Sequence, residues 1–315
     1  MAESVSSLGE FGLISTIVSG LTMPATVSVG PGDDCAVFSP RGDVAVSTDA
    51  MIEEVHFRRN WSSAHDVGRK AVASAMADVE AMGATPLGLV VSLSVPADLE
   101  AAWVTDASRG VKEEAALCGA VLLGGDVTRG DKIGIVCTVF GDQKGRPPVL
   151  RSGARPGDVV AYIGRLGMAA AGLAVLSRGF RSPGAVVRAH RVPEPPYGQG
   201  AVAAVAGASA MIDCSDGLVA DLGHVARASG VTIDLDTADL EVSEPQRTVA
   251  AAIGGGDPMG YILGGGDDHA LLATFAAADV PEGWTVIGRV SEPDGEPQVL
   301  VDGEPWSGDG GWRHF

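Results

Sequence analysis

Aspartate recurs in five short motifs able to carry phosphate or metal chemistry. They are Gly32-Asp33-Asp34-Cys35, Ser47-Thr48-Asp49-Ala50, Asp78 within ASAMADVEAMGA, Gly124-Gly125-Asp126, and Asp213-Cys214-Ser215-Asp216-Gly217. Apart from Asp78, which falls within a predicted helix, each Asp stands beside glycine or where a strand is expected to end. Mg²⁺ takes hard oxygen ligands, typically a few carboxylates completed by water and phosphate oxygens. Carboxylates at strand ends can converge from distant parts of a chain. Any one motif also reads as a turn, because Asp beside Gly is above all a turn signal. Their recurrence in a chain with no P-loop favours a shared site.

Asp78 is the most informative alone. At about 100° per residue it shares a helix side with Ala71, Ala75 and Met82, while Glu80 points the opposite way. A carboxylate among small apolar residues is costly unless paired or metal-bound. A buried salt bridge and a metal ligand both satisfy that condition. Ser215-Asp216-Gly217 opens a predicted helix, with Ser215 as N-cap and Asp216 favoured by the helix dipole. A helix N-terminus there also suits a phosphate. Gly264-Gly265-Gly266-Asp267-Asp268 precedes a strand, and its glycines suit either close approach to a ligand or a sharp strand entry. Gly164-Arg165-Leu166-Gly167 resembles a phosphate-cradling turn only loosely. His56 reads as a ligand contact or a structural imidazole. The acidic run 234–241 lacks the glycine and terminal Glu of an EF-hand loop and reads as strand edge and turn.

The elements that must position these residues follow from periodicity and punctuation. Strands are expected at 44–47, ending at Thr48-Asp49, and at 87–95, 120–123, 133–140, 159–163, 211–212, 231–235 and 270–275. Helices are expected at 66–82 with Asp66 as N-cap and Gly83 as stop, and at 100–118, 168–177, 199–207 and 218–229. The segment 141–158 is dense in Gly, Pro and Arg and marks a domain boundary. The 315 residues then divide into 1–145 and 146–315, each mixing strands and helices as α+β or α/β.

The formal net charge is −18, with no basic run long enough for a nucleic-acid face. If the ligands are anionic, a cation must stand between them and the chain, and Mg²⁺ is the usual one. The four cysteines show no CxxC spacing, so they read as free buried thiols in a reducing cytoplasm rather than a zinc site. The N-terminal residues do not read as a signal peptide, and no apolar run is long enough to span a membrane.

Taken in order, GEFGLI, VGPGDDCAV, VSTDAMIEEVHF, KAVASAMADVEAMGATP, LLGGDVTRG, RSGARPGD, IDCSDGL, GGGDDHALL and GWRHF run through nearly the whole chain. This set resembles the thiamine-monophosphate kinase family of the aminoimidazole ribonucleotide synthetase superfamily. The resemblance implies an N-terminal α+β domain that dimerises through its sheet and a C-terminal α/β domain. It implies Mg²⁺-dependent transfer of the ATP γ-phosphoryl group to thiamine monophosphate in a cytoplasmic homodimer. By position, Asp34, Ser47, Thr48, Asp49, Asp78, Asp126, Asp213 and Asp216 would hold several Mg²⁺ ions. Gly125, Asp126, Arg151 and Ser215 would contact ATP, and His56, Asp267 and Trp312 the thiamine phosphate. Asp33 would act directly or through hydrogen bonds to the ligands. Where the family is expected to carry Gly-Gly-Glu-Asp-Tyr-Glu, this chain has Gly265-Gly266-Asp267-Asp268-His269-Ala270, so Asp267 is one methylene shorter. Phe315 competes with Trp312 for the same role.

The acceptor in such a reaction is a phosphate oxygen, mostly dianionic at neutral pH because its second pKa is about 6. No general base, nucleophilic side chain or phosphoenzyme is then required; charge balance and alignment are. Among rivals, selenophosphate synthetase would carry a reactive Cys and a Lys near its start, and the first 30 residues hold neither. The hydrogenase-maturation relative would end in Cys, whereas this chain ends in His314-Phe315. A non-catalytic metal- or nucleotide-binding module would bind Mg²⁺ or ATP without turnover.

Overall fold

The computed structural model describes residues 4–254 and 256–308. Contacts divide the chain into two units, Met1–Val79 with Thr85–Arg146, and Glu80–Ala84 with Pro147–Phe315. The short excursion at Glu80 is the C-terminal end of a helix that begins in the first unit.

The first unit contains α1 (Val5–Val18), β1 (Val27–Val29), β2 (Val37–Phe38), β3 (Val44–Ile52), α2 (Ala64–Ala81), β4 (Thr85–Val95), α3 (Ala101–Leu117), β5 (Val121–Arg129) and β6 (Gly134–Asp142). A four-stranded sheet runs β3-β6-β4-β5, antiparallel except for the parallel β4–β5 pair that α3 connects. Alternation sets its two faces. Ile135, Cys137 and Val139 of β6 are buried on the inner face, and Val46, Thr48 and Ala50 of β3 are exposed on the outer one. Asp66 is not the N-cap of α2. It lies in the first turn, where Asp66 N–H donates to Ser63 Oγ (3.1 Å) and Ser63 N–H donates to Asp66 Oδ2 (3.2 Å). Helix α2 is also buried on more sides than its pattern implies: Ala71 and Ala75 are covered as expected, but so is Glu80.

Two glycines let α2 and α3 approach closely. A Cβ at Gly68 would run into the Ala107 carbonyl, and one at Gly110 into the His65 carbonyl.

The second unit contains β7 (Val159–Ile163), α4 (Met168–Ser177), α5 (Gly184–Arg191), α6 (Gln199–Ala206), β8 (Ala210–Asp213), α7 (Leu218–Ser229), β9 (Thr232–Leu235), α8 (Glu244–Ala252), α9 (Met259–Gly264), β10 (Leu271–Phe275), β11 (Thr285–Ser291), β12 (Val299–Val301) and β13 (Glu304–Pro305). Its seven-stranded sheet runs β13-β12-β9-β11-β7-β10-β8, antiparallel except for β12–β9. Both faces are covered, so the strands read as continuous apolar runs. Val160, Ile212 and Leu272 enter one core with Leu218, Leu222 and Ile262, whereas Ala161, Met211, Leu271 and Phe275 enter another with Ala203 and Trp284. In this unit Glu80 takes up the start of α6: Gly198 N–H donates to its Oε1 at 2.8 Å and Gly200 N–H to its Oε2 at 3.0 Å. Burial nevertheless pushes the Glu80 carboxyl up, those amides only partly opposing it.

Replacing Gly110 by alanine adds at most about 1 kcal/mol of helix propensity. The backbone clash costs about 1–3 kcal/mol and cannot relax by a side-chain rotation. Gly110→Ala is therefore expected to lower the urea midpoint, and an unchanged or raised midpoint contradicts the close-packed crossing.

Candidate functional site

In the first unit the acidic motifs do not sit where strands end. β3 continues through Thr48 and Asp49 to Ile52, and β5 continues through Gly124, Gly125 and Asp126 to Arg129. Threonine and glycine are accommodated because their neighbours pair in register, Asp49 opposite Cys137 and Asp126 opposite Ser92. Mid-strand placement makes alternation decisive. Ser47 and Asp49 share the inner, helix-covered face, where Ser47 Oγ donates to Asp78 Oδ2 at 2.5 Å. Burial drives the Cys137 thiol up to about 12, and the charge of Asp49 adds to that effect. Thr48 points the other way and meets Thr138 Oγ1 at 3.1 Å. Asp126 lies on β5, at the opposite edge of the sheet from β3, two strands intervening. Ser47, Asp49 and Asp78 are therefore brought together, and Thr48 and Asp126 are not part of that group.

The remaining residues of this unit occupy loops. Asp33 and Asp34 are exposed, with Asp34 N–H donating to Asp33 Oδ1 (2.9 Å). Cys35 is exposed as well, unlike the other three thiols, which are buried as expected. His56 follows β3, and its Nδ1 accepts the Ile52 N–H at 3.0 Å. In the neutral ring the proton then sits on Nε2. An apolar pocket lined by Ile14, Ile17, Val91, Val104 and Val111 has Gly125 and Asp126 among its walls.

The second unit gathers its motifs more tightly. Beyond the β8–β10 ladder, Cys214 N–H donates to the Ala270 carbonyl (2.8 Å), His269 N–H to the Cys214 carbonyl (3.0 Å) and Asp267 N–H to the Ser215 carbonyl (2.8 Å). The two acidic loops thus lie back to back. A Cβ at Gly266 would strike the Ser215 carbonyl, and one at Gly217 the Gly264 carbonyl. The glycines serve this loop-to-loop approach. Asp213, Ser215, Asp216 and Asp267 come together as a result.

Ser215 is not the helix cap. The N-cap of α7 is Gly217, at φ 133°, without a side-chain cap bond. The Asp221 carboxylate instead accepts from the Asp216 and Gly217 amides, both at 3.0 Å. Asp221 is buried, and burial followed by the Asp213 charge raises its carboxyl to about 7. Arg151 is exposed and lies near α7: together with burial and Arg227 it lowers the His224 pKa, while Asp216 opposes. Arg151 and Asp216 therefore share a neighbourhood. Trp312 and Phe315 fall outside the described residues.

Three residues given no role from the sequence, His190, Asp268 and His269, belong to this loop cluster. His269 Nδ1 lies 3.0 Å from Asp213 Oδ2, with both side chains buried. Asp267 lies near two imidazoles, His190 Nδ1 at 3.6 Å and His269 Nε2 at 3.9 Å. Asp268 is buried, with Oδ1 accepting the Ala169 N–H at 3.0 Å at the start of α4. Asp267 (φ 68°) and His269 (φ 55°) both adopt left-handed backbone, at a cost on the order of 1–3 kcal/mol each, a strain characteristic of functional loops. No sequence periodicity announces this; the available signal was the unusual density of glycine ahead of two acids and a histidine.

Among the described residues, no group of three or more His, Cys, Asp or Glu side chains is arranged to hold a metal ion by itself. What is present are hard oxygen donors such as Asp78 with the Ser47 hydroxyl, and Asp49 two residues on along the same strand face. That donor chemistry fits a cation that keeps water and phosphate oxygens in its shell. No described helix is long and apolar enough to cross a membrane.

With this geometry in place, comparison with known proteins defines the class. Residues 32–142 match the model of the AIR synthase related protein N-terminal domain, and residues 155–299 that of the C-terminal domain. The thiamine-monophosphate kinase of Mycobacterium tuberculosis H37Rv is 49% identical over 315 residues, covering 100% of this chain and 94% of that protein. That of Corynebacterium glutamicum is 38% identical over 99% of this chain and 95% of its own. A solved structure of AaThiL complexed with AMPPCP and TMP superposes with a TM-score of 0.81 at 35% identity, covering 98% and 97% of the two chains. The chain belongs to the AIR synthase related family and, within it, to the thiamine-monophosphate kinases.

Asp268 supplies a test of the buried loop. Burial raises its carboxyl from the ordinary 3.8 to about 7, against the Ala169 amide and the Arg165 charge. Between those pH values the native chain keeps a proton that the unfolded chain has lost. Stability therefore falls as pH rises from about 4 to about 7. Asp268→Asn keeps an oxygen for Ala169 and removes the ionisation. Calorimetry is expected to show a smaller loss of Tm between pH 5 and pH 8 than in the wild type; an equal loss contradicts the assignment.

Proposed function

We propose that this chain transfers the γ-phosphoryl group of ATP to thiamine monophosphate, giving thiamine diphosphate and ADP, with Mg²⁺ and by direct in-line attack without a phosphoenzyme. The observation that carries the reading is the pair of oxygen-donor groups, Ser47-Asp49-Asp78 in one unit and Asp213-Ser215-Asp216-Asp267 in the other. Both stand in a chain of net charge −18. Membership of the thiamine-monophosphate kinases and likeness to a relative complexed with AMPPCP and TMP support it.

Two polyanions can be brought together on so acidic a chain only if cations stand between. When bound, Mg²⁺ would neutralise phosphate oxygens and withdraw charge from the transferring group. We assign Asp49, Asp78, Asp213 and Asp216 as its main protein ligands, with Asp34 and Asp126 from other parts of the first unit and the Ser47 hydroxyl as further donors; the Thr48 side chain, turned to the outer face, is left out of the set. Gly125 and Asp126, beside the apolar pocket, and Arg151 and Ser215 are assigned to ATP. His56 and Asp267 are assigned to thiamine monophosphate; Trp312 keeps that role from the sequence alone. A phosphate dianion needs no strong base to attack. The buried Cys214 thiol is pushed well above its usual range, which disfavours a thiolate nucleophile beside these loops.

A homodimer and a cytoplasmic location complete the proposal. The outer face of the first unit's sheet offers the contact for a second copy, with Val46 59% exposed beside half-buried Val90 and Phe140.

Incubating the protein with Mg·ATP and thiamine monophosphate is expected to yield ADP and thiamine diphosphate in equal amounts. Binding without product across a range of Mg²⁺ would point to a non-catalytic module, and a phosphorylated side chain trapped on the path would overturn the direct transfer. Asp78→Asn is expected to keep the wild-type Tm, since the amide can still accept from Ser47. It should cut turnover about tenfold or more at limiting Mg²⁺. Wild-type turnover there excludes Asp78 as a ligand.

A further inference from the structure

We infer that His269 is a positioning residue whose two ring nitrogens hold the carboxylates of Asp213 and Asp267, so that one side chain sets both a proposed cation ligand and a proposed substrate contact. The inference deepens the kinase reading above and rests on it.

Three independent observations support it. The first is ring geometry. His269 Nδ1 is 3.0 Å from Asp213 Oδ2, and Nε2 is 3.9 Å from Asp267 Oδ1. A carboxylate only accepts, so Nδ1 carries a proton and donates it to Asp213. The second distance, too long for a direct hydrogen bond, is that of an ion pair, and it holds Asp267 only through an imidazolium with a proton on each nitrogen. The hold on Asp213 is thus tight and the hold on Asp267 looser, leaving Asp267 room to adjust to a ligand. His190, at 3.6 Å from Asp267 Oδ2, bounds the other oxygen.

Burial is the second observation. The Asp213 and His269 side chains are 5% and 8% exposed, whereas that of Asp267 is 35% exposed. An isolated buried carboxylate is expensive, and the imidazole N–H offsets part of that cost. Asp267 is the member of the set that reaches solvent.

The backbone is the third. His269 N–H to the Cys214 carbonyl and Asp267 N–H to the Ser215 carbonyl fix the two loops in register. Both residues nevertheless take left-handed φ, 55° and 68°. Asp268, between them, turns to the start of α4 instead. A loop serving only to enter β10 has no need to place two side chains this way.

Two substitutions separate the arms. Asparagine tolerates left-handed backbone. Its amide reaches about as far as Nδ1, so His269→Asn keeps the contact to Asp213 and loses the one to Asp267. Phenylalanine fills the ring volume and loses both. His269→Asn is expected to raise the KM for thiamine monophosphate about tenfold while leaving the Mg²⁺ dependence unchanged. His269→Phe is expected to raise that KM and to weaken Mn²⁺ binding, followed by electron paramagnetic resonance, about tenfold as well. In an Asp267→Ala background, His269→Asn should add nothing further to KM.

If the wild type converts thiamine monophosphate but both variants keep its KM and its Mn²⁺ binding, the inference is overturned while the kinase reading stands. Equal effects of the two variants on both quantities also overturn it, since they indicate a merely structural imidazole. If the wild type makes no thiamine diphosphate, the kinase reading falls. The Mn²⁺ arm then decides the positioning claim: weaker binding in His269→Phe alone upholds the hold on Asp213, and equal binding in all three proteins overturns it.

Discussion

The amides of Asp267 and His269 donate to the carbonyls of Ser215 and Cys214, and the acidic loops of the C-terminal unit depend on that pairing. It carries the β8–β10 ladder past the ends of its strands and sets two carboxylate-bearing segments side by side. Gly217 and Gly266 are needed because backbone, not ligand, occupies the space a Cβ would take. Once the loops are laced, Asp213 is buried against His269, and Asp221 holds the Asp216 and Gly217 amides from beneath. Backbone hydrogen bonds fix the loops, while the Asp213 and Asp221 carboxylates accept from His269 and from the Asp216 and Gly217 amides.

Electrostatics supplies the other half of the account. A chain carrying 40 Asp and Glu against 22 Lys and Arg repels phosphates. The first unit carries the same chemistry on different scaffolding: Ser47 and Asp49 share one face of a strand, and the Ser47 hydroxyl donates to Asp78 on a helix. Donors come in twos rather than as closed cages, which is how Mg²⁺ is commonly taken up together with the phosphates it accompanies.

The types of the site residues were legible in the sequence; their local settings were less so. Asp78 was recognisable as a carboxylate on an apolar helix side, and it does find a partner, Ser47. Glu80 was not recognisable as buried, because the amides that receive it at Gly198 and Gly200 lie far along the chain. Asp49 and Asp126 were expected at strand ends, yet cross-strand pairing carries β3 and β5 through them. Ser215 had the local chemistry of a cap, but its carbonyl is engaged by Asp267 and its place is taken by Gly217. Helices α1, α5, α8 and α9 and strand β11 escaped notice: the first carries Gly9 at positive φ, the others are short, and β11 is interrupted by Gly288. His269 could not be singled out, since its significance lies in the distance to Asp213, 56 residues away.

The most direct test of the central claim is calorimetric binding of a non-hydrolysable ATP analogue to the whole chain, with and without Mg²⁺. If carboxylates in both units serve cations, the analogue binds only with Mg²⁺, and Asp78→Asn and Asp213→Asn each weaken it about tenfold. Equal affinity without Mg²⁺, unchanged in both variants, would contradict the account.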